Sequence, residues 1–352
     1  MTNAHADRKE IASLDGWRAV AIGIVAFSHA GLGHIIPGGL GVTIFFFLSG
    51  YLITTLLAKE FAANSTINIP HFYLRRLFRL TPPLLLTLVL AYTLTYAGIL
   101  AGHATWTGFF AQLLYFANYF SLFFAGNEYV PYGTGVFWSL AVEEHFYFVF
   151  PALFVLMLHK AERRHIPLYL AGLCLLVLAW RCYLVMVMHV SADRTYFASD
   201  TRIDSILYGC ILATLPLSAA WREKLAQARC RLIAVAAGAV LLLLTLGVRN
   251  DVFRETLRYS LQGLALIPLF YYSVHAPRSF PFRFLNLAWV KKTGVYSYSI
   301  YLSHHILWTN LELVIDNAFL RGLLTLAGAW VFAMLVDRFI DGPLRAVRAR
   351  FR

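Results

Sequence analysis

About ten separate apolar runs, each roughly 20 residues long, restrict the fold of this chain more than any other feature. They cover 12–32, 40–58, 74–101, 136–158, 167–189, 200–218, 231–249, 257–276, 293–311 and 321–340. A backbone crossing a bilayer finds no water to bond, so it satisfies its polar groups within helices or a closed barrel. Continuous apolar runs of this length point to helices. Of the 352 residues, 59% are hydrophobic and only 14% charged, against about a quarter charged in soluble domains. The expected fold class is an all-α integral membrane protein of about ten transmembrane helices, and the lipid bilayer is its first partner. It reads as one membrane domain over 1–352, with a core at about 11–341.

The net charge of +12 is then loop charge on a membrane protein, and no basic stripe suggests nucleic acid. The segment 105–126 decides the topology. If it does not cross, both termini share a side with Lys59, Arg75, Arg76, Arg79, the loop 159–165, the stretch 221–231, Lys291, Lys292 and the basic tail. If it crosses, every later loop inverts and the basic ones among them face outwards, against the positive-inside rule. Both termini are therefore expected in the cytoplasm, with 105–126 re-entrant or interfacial. The short polar MTNAHADRKE stretch leads into a charge-interrupted run, which favours an uncleaved first span over a signal peptide. Cys174, Cys182, Cys210 and Cys230 stand at no metal-ligand spacing and read as packing residues. No metal site is expected.

Ionisable groups at membrane depth are costly and point to function. The first run, SLDGWRAVAIGIVAFSHA, carries Asp15, Arg18 and His29. Arg18 and His29 lie about three turns apart on one helix face, roughly 16 Å along the axis. GGLGVTIFFFLSGYLI holds glycines suited to close packing and Ser49 as a polar group. HFYLRRLFRLTPPLL gathers Arg75, Arg76 and Arg79 around one turn, either as lipid-headgroup contacts or as a phosphate clamp. Pro82 and Pro83 should kink the helix beyond them. In FWSLAVEEHFYFVFP, Glu143 and Glu144 point about 100° apart, so at most one faces a site while the other pairs structurally. Arg181, Arg202 and Asp204 fit mutual pairing as well as catalysis. GVYSYSIYLSHHILW makes an unusually polar helix with Tyr298, Tyr301, Ser303, His304 and His305.

These strings, in this order, resemble the motifs of the membrane acyltransferase-3 family. They are the Arg-to-His opening, the second-helix motif, the Arg-rich motif, the Trp-Ser-Leu-x-x-Glu-Glu motif, RIDSILYGC and YSYSIYLSH. The resemblance runs from about Ile11 to Asp341. His145 stands where the family usually has Gln, and Trp17 where Leu is common. Some members carry a hydrolase-like domain after the membrane part, and the resemblance here covers the acyltransferase part. It implies transfer of an acyl group, usually acetyl and sometimes succinyl, from cytoplasmic acetyl-CoA or another short acyl-CoA. The acceptor is a hydroxyl of a cell-envelope glycan or a similar molecule, and the setting is the bacterial inner (plasma) membrane.

In that reading His29 acts as general base, because an imidazole titrates near neutrality. A nucleophilic role is the alternative. Glu143 and Glu144 join it as catalytic candidates, and Arg18, Arg75, Arg76 and Arg79 bind the CoA. Ser49, Trp138, Ser139, Asp204, Tyr298 and His304 surround the substrates. The competing reading is a secondary transporter with a Glu/His/Arg proton relay, although no inverted hydropathy repeat is visible.

Overall fold

The computed structural model describes residues 12–124 and 126–351. The polar N-terminal stretch therefore lies outside the described residues. Among the described residues ten helices run sixteen residues or more. They are α1 (Ala12–Phe27), α2 (Gly38–Asn64), α3 (Ile69–Tyr96), α4 (Trp138–Lys160), α5 (Ile166–Met186), α6 (Ser199–Thr214), α7 (Ala228–Gly247), α8 (Leu257–His275), α9 (Ala288–Leu311) and α10 (Ala318–Val336). No strand forms among these residues beyond one isolated bridge, Gly102 to Pro131.

Six helical stretches, those holding α2, α3, α4, α5, α7 and α10, are long and apolar enough to cross a membrane, or seven if a bent pair beginning at Ala192 counts as one span. Among the helices outside that set, α1 and α6 are short, and α9 carries a row of serines, tyrosines and histidines. Shielding explains the difference. Most of α6 is buried, whereas only Gly238 and Thr245 of α7 are. A peripheral helix meets its surroundings with its own side chains, so it must be apolar. An inner helix meets protein and can carry polar groups that pair. The periphery is correspondingly oily: Leu176, Leu232 and Phe148 are 66%, 71% and 74% exposed. Apolar faces on this scale suit lipid and not water.

Inner helices approach closely where glycines meet. A Cβ on Gly50 of α2 would fall 1.9 Å from Ile206 O of α6, and one on Gly209 of α6 2.0 Å from Phe47 O of α2. At α1–α9, a Cβ on Gly294 would fall 1.8 Å from Asp15 O. Gly209→Ala would gain at most about 1 kcal/mol of helix propensity, but the obstructing atoms are backbone and cannot rotate away. Overpacking of this kind costs about 1–3 kcal/mol or more. We expect Gly209→Ala to lower the thermal unfolding midpoint in detergent, and an unchanged midpoint would show that α2 and α6 are free to separate.

Two expectations need correction. The first run is not one straight helix: α1 ends at Phe27, and Ser28–Leu32 form a wider π turn with Gly31 at φ 89°. His29 lies at the start of this turn, before the non-helical residues Ala30 and Gly31. The sixth run is four residues shorter at its C-terminal end, stopping at Thr214. As for Pro82 and Pro83, both lie inside α3, which continues beyond them to Tyr96.

Segment 105–126 forms two short helices, Trp106–Leu113 and Ala117–Phe123, broken at Tyr115 with φ 57°. Neither is long enough to cross a bilayer. Tyr115 sits with Thr81, Glu144 and His145 around a cleft between α3 and α4.

The bundle has one basic end. Arg18 and Arg79 border one cavity, and Arg75 Nη1 donates to Phe351 O at 2.6 Å. Phe351, at the end of the described chain, thus lies beside Arg75 of α3.

Candidate active site

Two cavities in the bundle share the lining residues Val42 and Tyr301. The inner one, at the basic end, is an open space of about 760 Å³ bordered by α1, α2, α3, α4 and α9. Arg18, Arg76 and Arg79 face it, with Glu143 as the carboxylate on its wall. Arg18 pairs with Asp15 at 3.0 Å. Among the described residues no carboxylate lies within 4.0 Å of Arg76 or Arg79, and Arg76 packs over the Tyr147 ring at 4.3 Å. Two half-buried guanidinium groups without a carboxylate make this cavity electropositive and fit for a multiply charged anion. Ser49 donates to Glu143 Oε1 at 2.7 Å and receives the Tyr147 hydroxyl at 2.9 Å. Tyr298 donates to Leu80 O, in the turn just before the two prolines.

The outer cavity, about 1270 Å³ including open space, is bordered by His29, His305, Trp138, Tyr132 and Tyr196. His29 Nδ1 lies 3.0 Å from His304 Nε2, and the two rings stack. His304 Nδ1 lies 2.8 Å from Tyr301 O. A carbonyl oxygen only accepts, so His304 carries its proton on Nδ1 and accepts at Nε2. The proton between the rings then belongs to His29 Nδ1, which leaves His29 Nε2 with a free lone pair. His305 packs against His29 and bonds Gly133 O at 3.2 Å. Gly133 is at φ 86° and its backbone touches α9, so a side chain there would push the His305 turn away.

The structure brings together some of the expected residues and separates others. Arg18, Arg76, Arg79, Ser49, Ser139, Glu143 and Tyr298 border the inner cavity, and His29 and Trp138 the outer one. Glu143 and Glu144 divide as their angular separation requires: Glu144 turns into the cleft between α3 and α4. Arg75 does not line the inner cavity and is bound to Glu60 at 3.1 Å. His304 is fully buried behind His29.

Asp204 borders neither cavity. It is fully buried, holds Arg181 through both oxygens at 3.1 and 2.9 Å, and also accepts from Ser260. Its carboxylate is consumed by structure, so it is not open to a substrate. Arg202 is not its partner. That guanidinium, also fully buried, lies 4.0 Å over the Tyr259 ring and 5.1 Å from Tyr196, with no carboxylate within 4.0 Å among the described residues. It thereby backs Tyr196 and Trp138 in the outer wall. Tyr301, which sequence reasoning leaves as one of several polar groups on α9, borders both cavities. Among the described residues no group of three or more His, Cys, Asp or Glu is arranged to hold a metal ion.

The described helices thus enclose an electropositive pocket lined by Arg18, Arg76 and Arg79 and a second cavity lined by His29 and His305. The family model described as the acyltransferase domain matches residues 11–336, and the chain belongs to this acyltransferase-3 family. It is similar to the peptidoglycan O-acetyltransferase OatA of Listeria monocytogenes, 29% identical over 96% of this chain and 56% of that one. It is also similar to the O-acetyltransferase OatA of Staphylococcus aureus, 30% identical over 94% and 57%. A putative O-acetyltransferase of Staphylococcus aureus is 28% identical over 95% and 57%. The chain thus spans a little over half the length of these relatives. No solved structure matches it.

Proposed function

We propose that this chain is a multi-pass O-acyltransferase of the bacterial plasma membrane, with ten spans and both termini cytoplasmic. It takes an acyl group, acetyl by preference, from acyl-CoA in the inner cavity. It passes the group to a hydroxyl of a cell-envelope glycan in the outer cavity. The observation that carries this reading is the pair of Arg76 and Arg79, which face a cavity without a carboxylate partner. Polyphosphate is the cytoplasmic chemistry that satisfies such a pair. The names of the relatives support acetyl as the group and a glycan as the acceptor. Aromatic rings on the outer wall suit the mixed apolar and polar faces of a sugar.

In this mechanism His29 Nε2 takes the proton of the acceptor hydroxyl as its oxygen attacks the thioester carbon. The carbon–sulfur bond breaks as the carbon–oxygen bond forms, and the CoA thiolate leaves towards the arginines. Glu143, which borders the same cavity, serves in its protonated form as the acid that gives this sulfur a proton. It takes up a new proton from water at the basic end, while the proton held by His29 passes to water on the outer side. His304 is a positioning residue that fixes the His29 tautomer.

We expect CoA to raise the thermal unfolding temperature of the purified protein. Arg79→Ala should raise KM for acyl-CoA by about 10–100-fold, the worth of one charge-assisted contact, and change kcat less. Kinetics at varied acyl-CoA concentration check this. If CoA gives no stabilisation and KM does not move, the donor reading fails and the transporter reading gains.

A further inference from the structure

The inner and outer cavities share two lining residues, Val42 of α2 and Tyr301 of α9. In the reading above the reactive carbon must meet both a thioester on the inner side and a hydroxyl at His29 on the outer side, which puts the reacting acyl group where the two cavities adjoin, in an opening between these two side chains. We propose that Val42 and Tyr301 form the acyl-size filter of this enzyme, admitting acetyl and excluding longer unbranched acyl chains. The proposal rests on the donor and acceptor assignment made above.

Both sides of the opening are stiff. Tyr301 is held at both ends of its side chain, by the α9 backbone and by its hydroxyl. That hydroxyl donates to Val136 O at 2.7 Å and accepts from Ser139 Oγ at 2.6 Å. Phe45 meets the ring edge-on, and His304 packs against it. Val42 is β-branched and has essentially one side-chain rotamer in a helix. Its own helix cannot retreat, because α2 lies against α1 at Gly41, where a Cβ would come 2.6 Å from Ala21 O. Each of the two side chains is only 6% exposed. A stiff opening discriminates by size, whereas a flexible one adapts.

The step is an ordinary acyl exchange in which the carbon–sulfur bond breaks and the carbon–oxygen bond forms. The hydroxyl proton moves to His29 and the thiolate leaves with CoA. The filter adds no reagent to it. It determines which acyl groups bring their carbonyl carbon within reach.

The experiment compares kcat/KM for acetyl-, propionyl- and butyryl-CoA in the full chain in nanodiscs, for wild type, Val42→Ala, Tyr301→Phe and Val42→Ile. A well-packed site discriminates one methylene by roughly 10–200-fold. Val42→Ala should therefore raise the butyryl-to-acetyl ratio at least tenfold. Tyr301→Phe, which keeps the ring and loses both hydroxyl contacts, should raise it less. Val42→Ile should lower the propionyl-to-acetyl ratio. The ratio reads selectivity and is insensitive to the fraction of protein that folds. Variants that use acetyl-CoA with ratios within twofold of wild type overturn the filter and leave the donor assignment intact. A folded wild type that uses none of the three donors overturns the donor assignment itself. If Val42→Ala and Tyr301→Phe do not fold, the sign of the Val42→Ile change decides.

Discussion

His29→Ala is expected to abolish acyl transfer, lowering the rate by about 10²–10⁴-fold, the usual contribution of a positioned general base. The protein should still insert and unfold near the wild-type temperature, because the His29 ring borders a cavity and leaves little unpaired when removed. His304 Nε2 loses its donor partner in that variant, a modest cost for an acceptor that can take a water in the vacated space. Transfer of labelled acetyl to an envelope-glycan acceptor, measured beside size-exclusion profiles of both proteins, checks the expectation. His304→Ala separates positioning from chemistry. It should lower kcat through the wrong His29 tautomer while KM for acyl-CoA stays in place. Substantial transfer by His29→Ala would remove the residue from the chemistry altogether.

The second large effect is structural. Asp204→Ala leaves Arg181 buried without its bidentate carboxylate, and breaking a buried ion pair in this way costs about 3–5 kcal/mol. That is a large part of a domain's stability, so we expect poor recovery of folded protein and an early unfolding transition. Replacing both partners with apolar residues, as in Arg181→Met with Asp204→Leu, should recover much of the loss, since neither charge is then stranded. Thermal unfolding of the two variants checks this. An Asp204→Ala protein that folds normally but has a raised KM for the acceptor would return Asp204 to the substrate site, where sequence reasoning had it.

The same contrast marks what is legible along the chain. Helix positions are local: an apolar run of bilayer length closes its own backbone hydrogen bonds, and each of the expected runs holds one of α1–α10. The interruption at 105–126 is legible too, because a crossing there would turn the later basic loops outwards, and the chain there forms two short helices. Arg18, Arg76, Arg79 and His29 stand out because charge among apolar residues needs a reason.

Pairing is another matter. Arg181 and Arg202 are equally good partners for Asp204 by residue type, and nothing local prefers one. Packing of α5 against α6 brings Arg181 to the carboxylate and turns Arg202 into an aromatic box. Glu143 and Glu144 are chemically identical neighbours, and only the position of α2, with Ser49 on it, makes one of them face the inner cavity. The π turn at Ser28–Leu32 closes α1 and carries His29, and the fold sets Arg18 and His29 on different cavities. The opening between those cavities is the furthest from sequence, since Val42 and Tyr301 are unremarkable residues until α2 and α9 come together. Residue chemistry chose the helices and the charged groups, because both are decided within a few turns of chain. Which groups meet, and which space they enclose, depends on helices distant in sequence sharing one interior.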